Sequence, residues 1–348
     1  MNTIKRTFCI LIVVFTVYGC ENTFFEPDSA NTPENNFEIF WKDFDRYYAQ
    51  FSVRHIDWDS VYTLYRPQIS PSTSDRQLFN IFSNIVLSIN DMHVSLYTPL
   101  GNVSWKQPYP PLYPSMRLIN AFKYIQGGAA QKSVFEYRTC QDPSIGYIII
   151  QTFSGQSEGL SVIDSRYLVI DDILSQWKNM KGIIIDVRWN GGGEMFDAQA
   201  VANRFADQSR VCSYYCQKIG PGKDDFSSWK SISIEPKGPY QFLKPVVVLT
   251  SRATMSAAEF FVGAMQVLPH VTIVGDTTGG GFGDPVLREL PNGWTYRLST
   301  TIGADAQGRI IEGVGIFPDV AVTTTAIDSA NGIDRIMEKG IDIIKNSQ

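Results

Sequence analysis

The first strong pattern along the chain is aromatic and helical. Phe37, Phe40, Trp41, Phe44, Tyr47 and Tyr48 recur at the spacing of one α-helical face. Trp58, Val61, Tyr62 and Tyr65 repeat it until Pro67 interrupts. A third helix is predicted from Ser74-Asp75, a favourable cap, with Leu78, Phe79, Phe82, Ile85, Val86 and Ile89 as its apolar stripe. Stripes of this kind are packing surface, so a small helical bundle is predicted over 37–98. Its last helix runs out at Asn90-Asp91-Met92-His93, where Val94-Ser95-Leu96-Tyr97 reads as a strand. His93 stands where helix gives way to strand.

A Pro- and aromatic-rich, β-prone connecting segment over 99–145 follows, too short for an inserted domain of PDZ type. The pattern then changes to continuous apolar runs: Tyr147-Ile148-Ile149-Ile150, Ile183-Ile184-Ile185, Val246-Val247-Val248-Leu249 and Val271-Thr272-Ile273-Val274. Short β-branched runs without alternation are predicted as buried strands of a largely parallel sheet. Helical patterns lie between them. One is predicted from about Gly159 to Lys178 (Leu160, Ile163, Leu168, Ile170, Ile173, Leu174, Trp177), one from Ala198, and one over Phe260, Phe261, Ala264 and Leu268 before Pro269. Asn292-Gly293 predicts a hairpin, and a terminal helix is predicted from about Asn331 to Ile344. The alternation points to an α/β core domain over 146–348.

Within that core, Ser256 falls where a strand ends and a helix begins. A hydroxyl there stands at the sheet's carboxyl edge, beside N–H groups that the new helix leaves unpaired. Such donors can hold a developing oxyanion, which suits a nucleophile. The alternative is that Ser256 simply caps the helix. Gly191-Gly192-Gly193, after another strand, is either a tight turn or a backbone able to approach a ligand closely.

Composition narrows the field. The 348 residues are 44% hydrophobic and 13% aromatic, enough for a large core and about two domains. A formal net charge of −5 argues against a nucleic-acid partner. Neither a P-loop nor a dinucleotide fingerprint is present, and no Cys/His grouping has zinc-ligand spacing, so no cofactor and no metal is predicted.

The N-terminus carries an export signal: basic Lys5-Arg6, an apolar stretch from Phe8 to Val17 too short to span a bilayer, and Val17-Tyr18-Gly19-Cys20. This resembles a bacterial lipobox, which implies a signal peptide over 1–19, lipidation of Cys20 and a polar tether over 20–36. The mature protein is then an exported, membrane-anchored lipoprotein facing the periplasm or the cell surface. An ordinary secretory peptide is the alternative. Beyond Cys9 and Cys20 only Cys140, Cys212 and Cys216 remain, allowing at most one disulfide, with Cys212–Cys216 nearest in sequence.

Four motifs in order carry a resemblance: Asn90-Asp91-Met92-His93; Asp186-Val187-Arg188-Trp189-Asn190-Gly191-Gly192-Gly193; Ser256-Ala257-Ala258-Glu259; and Glu312-Gly313-Val314-Gly315-Ile316-Phe317-Pro318-Asp319. Together they resemble the serine peptidases of the C-terminal-processing and tricorn-core family. The resemblance implies a crotonase-like spiral α/β core with an N-terminal helical cap. It also implies hydrolysis of peptides or unfolded protein segments through an acyl-enzyme. Processing proteases of this family use a Ser–Lys dyad, but the Lys position falls on Gly281, and residues 275–287 contain no Lys. The tricorn-like arrangement maps instead onto His93, Ser256 and Glu312. The remaining histidines, His55 and His270, lie in an aromatic helical region and after Pro269. Met92 stands where tricorn-type enzymes carry a Ser. The implied oxyanion hole joins the Ala257 N–H to one from the Gly191–Gly193 run, with Gly191 and Gly192 as the named candidates. A catalytically inactive peptide- or hydrophobic-ligand-binding lipoprotein on the same fold is the rival reading.

Overall fold

The computed structural model describes residues 29–105, 118–155 and 163–347. The expected signal peptide, Cys20 and much of the expected tether lie outside these residues, as does the expected helix start at Gly159.

Three helices, α1 (Pro33–Tyr47), α2 (Trp58–Tyr65) and α3 (Asp75–Ile89), form the N-terminal layer. Ser74 closes a capping box with Gln77 at the start of α3, and left-handed Asn90 (φ 58°) ends it. The strands β1 (Ser95–Thr98) and β2 (Gly101–Ser104) follow as a hairpin. Further along come β3 (Ile125–Lys132), β4 (Phe135–Cys140), β5 (Ile145–Ile150), β6 (Gly182–Asp186), β7 (Arg210–Gln217) and β8 (Lys230–Ile234). The remainder are β9 (Val246–Thr250), β10 (Val271–Gly275), β11 (Pro285–Glu289), β12 (Thr295–Ser299), β13 (Thr301–Asp305) and β14 (Val320–Ala321).

The central sheet has seven strands in the order β14-β10-β9-β6-β5-β4-β3. From β14 to β5 the neighbours are parallel, whereas β4 and β3 join antiparallel. Every residue of β5, β6 and β9 is buried. The reason is that both faces are covered. Ile148, Ile150, Ile183, Ile185, Val246 and Val248 face one apolar cluster, shared with Phe260 and Phe261. Tyr147, Ile149, Ile184, Val247 and Leu249 face another, closed by Ile336, Met337 and Ile344. Alternate residues thus enter different cores, which makes the runs continuously apolar.

The N-terminal helices do not form a core alone. They pack on a second sheet, ordered β11-β12-β1-β2, with Leu290, Trp294, Tyr296 and Leu298 in the same cluster as Phe37, Phe40, Phe44 and Phe82. Phe40 sits 4.5 Å from Phe82 and 5.0 Å from Tyr296, ring centre to ring centre. The hairpin around Asn292-Gly293 therefore reaches back to complete the helical layer.

Three expectations change. In the described part of the helix predicted from Gly159 to Lys178 there is a single turn, Ser165–Leu168, followed by the short α4 (Ile170–Gln176). Asp164 starts the turn by accepting from the Arg166 N–H, and Ile163 and Leu168 of the presumed apolar stripe are 42% and 37% exposed. The terminal helix is also divided, into a turn at Ala326–Ala330 and a longer helix at Arg335–Asn346. Gly332 (φ 72°) reverses the chain between them, and Asp334 caps the second. Finally, Cys140, Cys212 and Cys216 are buried free thiols. Cys212 and Cys216 lie on one strand, where four residues of rise separate them by about 13 Å, far beyond disulfide reach.

Candidate active site

The loop after β9 delivers Ser256. Thr254 Oγ1 donates to the Val187 carbonyl at 2.9 Å, and the Met255 N–H donates to the Asn190 carbonyl at 3.0 Å. These bonds tie the loop to the segment after β6. Ser256 itself has φ 56° and ψ −127°, a conformation that costs a non-glycine residue about 1–3 kcal/mol. Its own N–H holds it there, donating to the Gly281 carbonyl at 2.9 Å and to Glu259 Oε2 at 3.1 Å. The helix α5 (Met195–Ala202) lies behind the glycine run, and α6 (Ala257–Gln266) starts immediately after the serine.

Glu259 organises this corner. It is fully buried, and its oxygens also accept from Thr278 Oγ1 at 2.6 Å and from the Gly280 and Gly281 N–H groups at 2.7 Å each. Burial pushes its carboxyl upward, and these donors pull the other way.

His93 arrives from the opposite side, in the turn between α3 and β1. Its Nε2 lies 3.2 Å from Ser256 Oγ, across 163 positions of sequence. Burial lowers the imidazole below its ordinary value, opposed by the Asp91 carboxylate and assisted by Arg297 and Arg54. Asp91 is buried in the same turn. Its Oδ1 accepts the His93 backbone N–H at 2.8 Å, and its Oδ2 accepts from the Tyr48 and Ser299 hydroxyls at 3.0 Å each.

Glu312 is buried nearby but does not touch His93. Its Oε1 accepts from Arg54 Nη2 and its Oε2 accepts from the Phe282 N–H at 2.8 Å. Burial and the Asp91 carboxylate push it up to about 8, against the pull of Arg54. The guanidinium also donates to the Asn90 carbonyl and lies 3.8 Å from Asp91 Oδ1. The expected trio therefore meets as a Ser256–His93 contact plus a carboxyl one step removed, joined to the histidine's turn by Arg54.

The glycines divide their roles. Gly192 has φ 100°, and a Cβ there would lie 2.6 Å from Ser256 Cβ and 3.0 Å from the Ala257 nitrogen. Only glycine fits that approach. Its N–H, however, is already engaged, donating to Asn190 Oδ1 at 2.8 Å. Among the described residues the N–H groups of Ala257, Gly191 and Gly193 have no partner. Gly281, the position of the dyad lysine in the other arrangement, is next to His93. A Cβ there would lie 2.2 Å from Met92 Sδ and 3.5 Å from His93 Cε1.

Arg188, inside the second motif, has a structural post. It is 2% exposed and bonded to Asp186 at 2.7 Å and to Asp334 at 2.8 Å, anchoring the Arg335–Asn346 helix. Sequence reasoning missed Asp91, Arg54 and Glu259. Asp91 and Glu259 stood inside the quoted motifs, whereas Arg54, in the turn after α1, carried no signal. Among the described residues no group of His, Cys, Asp and Glu is placed to hold a metal ion, and no helix is long and apolar enough to cross a membrane.

Comparison with known proteins identifies the family and the fold. The model of peptidase family S41 matches residues 144–322, and that of the tricorn protease C1 domain matches residues 29–86. The carboxy-terminal processing protease CtpA of Bacillus subtilis is 30% identical over 184 residues, covering 53% of this chain and 36% of that protein. The chain thus spans little more than a third of that relative's length. The crystal structure of a candidate peptidase from Parabacteroides merdae superposes with a TM-score of 0.80 at 31% identity, over 90% of this chain and 97% of that one. Mature CPAF, solved in complex with lactacystin, shares the fold with a TM-score of 0.66 over 91% of this chain and 99% of its own, at 14% identity.

Proposed function

Because the chain belongs to peptidase family S41, we propose that it is a serine peptidase that cleaves peptides or unfolded protein segments through an acyl-enzyme. The observation that carries this reading is the 3.2 Å contact between Ser256 Oγ and His93 Nε2 on a strained elbow. In the forward step Oγ attacks the scissile carbonyl carbon while Nε2 takes the hydroxyl proton. The oxyanion forms against the free Ala257 and Gly191 N–H groups; losing one such donor costs roughly 3–4 kcal/mol in the barrier. The imidazolium then gives its proton to the leaving amine, and water enters by the reverse route to hydrolyse the ester. Glu312 belongs to this set at one remove, through Arg54 and through the Phe282 N–H that borders the Gly281 carbonyl.

A fluorophosphonate probe separates this from the rival reading of a non-cutting binding protein. Wild type should be labelled at Ser256, and Ser256→Ala should lose labelling and peptide hydrolysis while staying folded. An unlabelled wild type without hydrolysis would leave the binding reading standing. Export and anchoring through Cys20 complete the proposal, supported by the basic, apolar and Gly19-Cys20 pattern of the N-terminus. Its check is the mass of the mature N-terminus: a protein without lipid on Cys20 refutes the anchor.

A further inference from the structure

We propose that Asp91, rather than Glu312, is the positioning residue that orients His93 and stabilises its protonated form, while Arg54 links the two carboxyl groups. The proposal rests on the Ser256–His93 pair proposed above and assigns the carboxylate that serves it.

The tautomer comes first. To accept the Ser256 proton, Nε2 must be unprotonated, so the neutral ring carries its hydrogen on Nδ1. That Nδ1 is buried and has no hydrogen-bond partner among the described residues. The carboxylate oxygen beside it is Asp91 Oδ1, at 3.8 Å. The same oxygen accepts the His93 backbone N–H, so carboxylate and ring share one tight turn.

Glu312 is poorly placed for that task. Both of its oxygens are engaged, by Arg54 and by the Phe282 N–H, and neither makes a contact with His93. Burial and the Asp91 carboxylate also disfavour its charged form. Asp91 is held differently. Its Oδ2 accepts from the Tyr48 hydroxyl at the end of α1 and the Ser299 hydroxyl of β12, which fix its direction, and Arg54 approaches its Oδ1 only to 3.8 Å while donating directly to Glu312. The charged groups acting on His93 are Asp91 from its own turn, Arg297 from β12 and Arg54 from the turn after α1. Of these only Asp91 favours the protonated ring.

The test compares Asp91→Asn, Glu312→Gln and His93→Ala in the full chain, with kcat and KM on an unstructured peptide followed against pH. Asparagine keeps an acceptor for the His93 N–H and a polar group for Tyr48 and Ser299. D91N should lower kcat by about 10²–10³-fold with little change in KM. Its acidic limb should move to lower pH, because a charge that raises the His93 pKa is gone. E312Q should lower kcat by about tenfold and leave the limb in place. The assignment is overturned if E312Q moves the limb, or if the activity of folded D91N keeps the wild-type limb, as a purely structural role requires. Should D91N not fold, the E312Q profile decides alone: a displaced limb overturns the proposal and an unmoved limb supports it. Near-normal turnover by H93A would instead sink the Ser–His pair itself, a distinct outcome.

Discussion

Gly281→Ala perturbs His93 without altering it. Gly281 is not among the glycines with positive φ, so its backbone admits alanine. The new Cβ would meet Met92 Sδ at 2.2 Å and Met92 Cγ at 3.0 Å. Ordinary contacts lie near 3.5 Å, so the sulfur must retreat by more than about 1 Å. Position 281 cannot yield instead: its N–H is held by Glu259 Oε2 at 2.7 Å and its carbonyl receives the Ser256 N–H at 2.9 Å. Met92 must therefore move, and it is the residue next to His93. Overpacking of this kind costs about 1–3 kcal/mol, and a flexible thioether favours the lower end. The kinetic effect is larger, because displacing a reacting group by about 1 Å costs up to about 10²-fold. We expect kcat on an unstructured peptide to fall about 10- to 100-fold, KM to change little, and Tm to drop by a few degrees. Met92→Ala opens the space again, so the double variant should recover much of the lost kcat, with a coupling of about 0.5–3 kcal/mol. Wild-type kcat in Gly281→Ala, or a loss that Met92→Ala leaves untouched, refutes the packing argument.

Three further outcomes follow, two from the buried His93 and one from the buried Arg188. His93 must be neutral to accept a proton, and burial holds its pKa below 6.5, so the acidic limb of kcat/KM should have its midpoint below that value; a midpoint above it contradicts the burial of the ring. Stability has the matching sign. The unfolded chain gains this proton near pH 6.5 while the folded one resists, so unfolding free energy falls as pH drops from about 6.5 through the depressed value, and His93→Gln should flatten that slope in urea titrations. Arg188→Met should cost roughly 3–5 kcal/mol in chemical unfolding by leaving the buried Asp186 and Asp334 without their cation, with activity per folded molecule largely kept; a cost below about 1 kcal/mol would show that the pair is dispensable.

The sequence by itself determined what local periodicity can report. Runs such as Ile183-Ile184-Ile185 and Val246-Val247-Val248-Leu249 announced strands buried on both faces, because each alternate side chain enters a core of its own. The aromatic stripes announced the N-terminal helices, and the four motifs supplied residues that the fold brings together around Ser256. The start of a turn at Ser165 escaped, since the Asp164 side chain that accepts the Arg166 N–H leaves no mark on the apolar spacing. Only the tertiary structure decided which partners those positions meet. Arg54 reaches Glu312 across 258 positions, and the hairpin at Asn292-Gly293 closes a core begun at Phe37. Periodicity records that a side chain is buried, but not against what. The Gly192 N–H turned inward to Asn190, and the Asp91 carboxylate set beside the imidazole, depend on the separate elements that converge there.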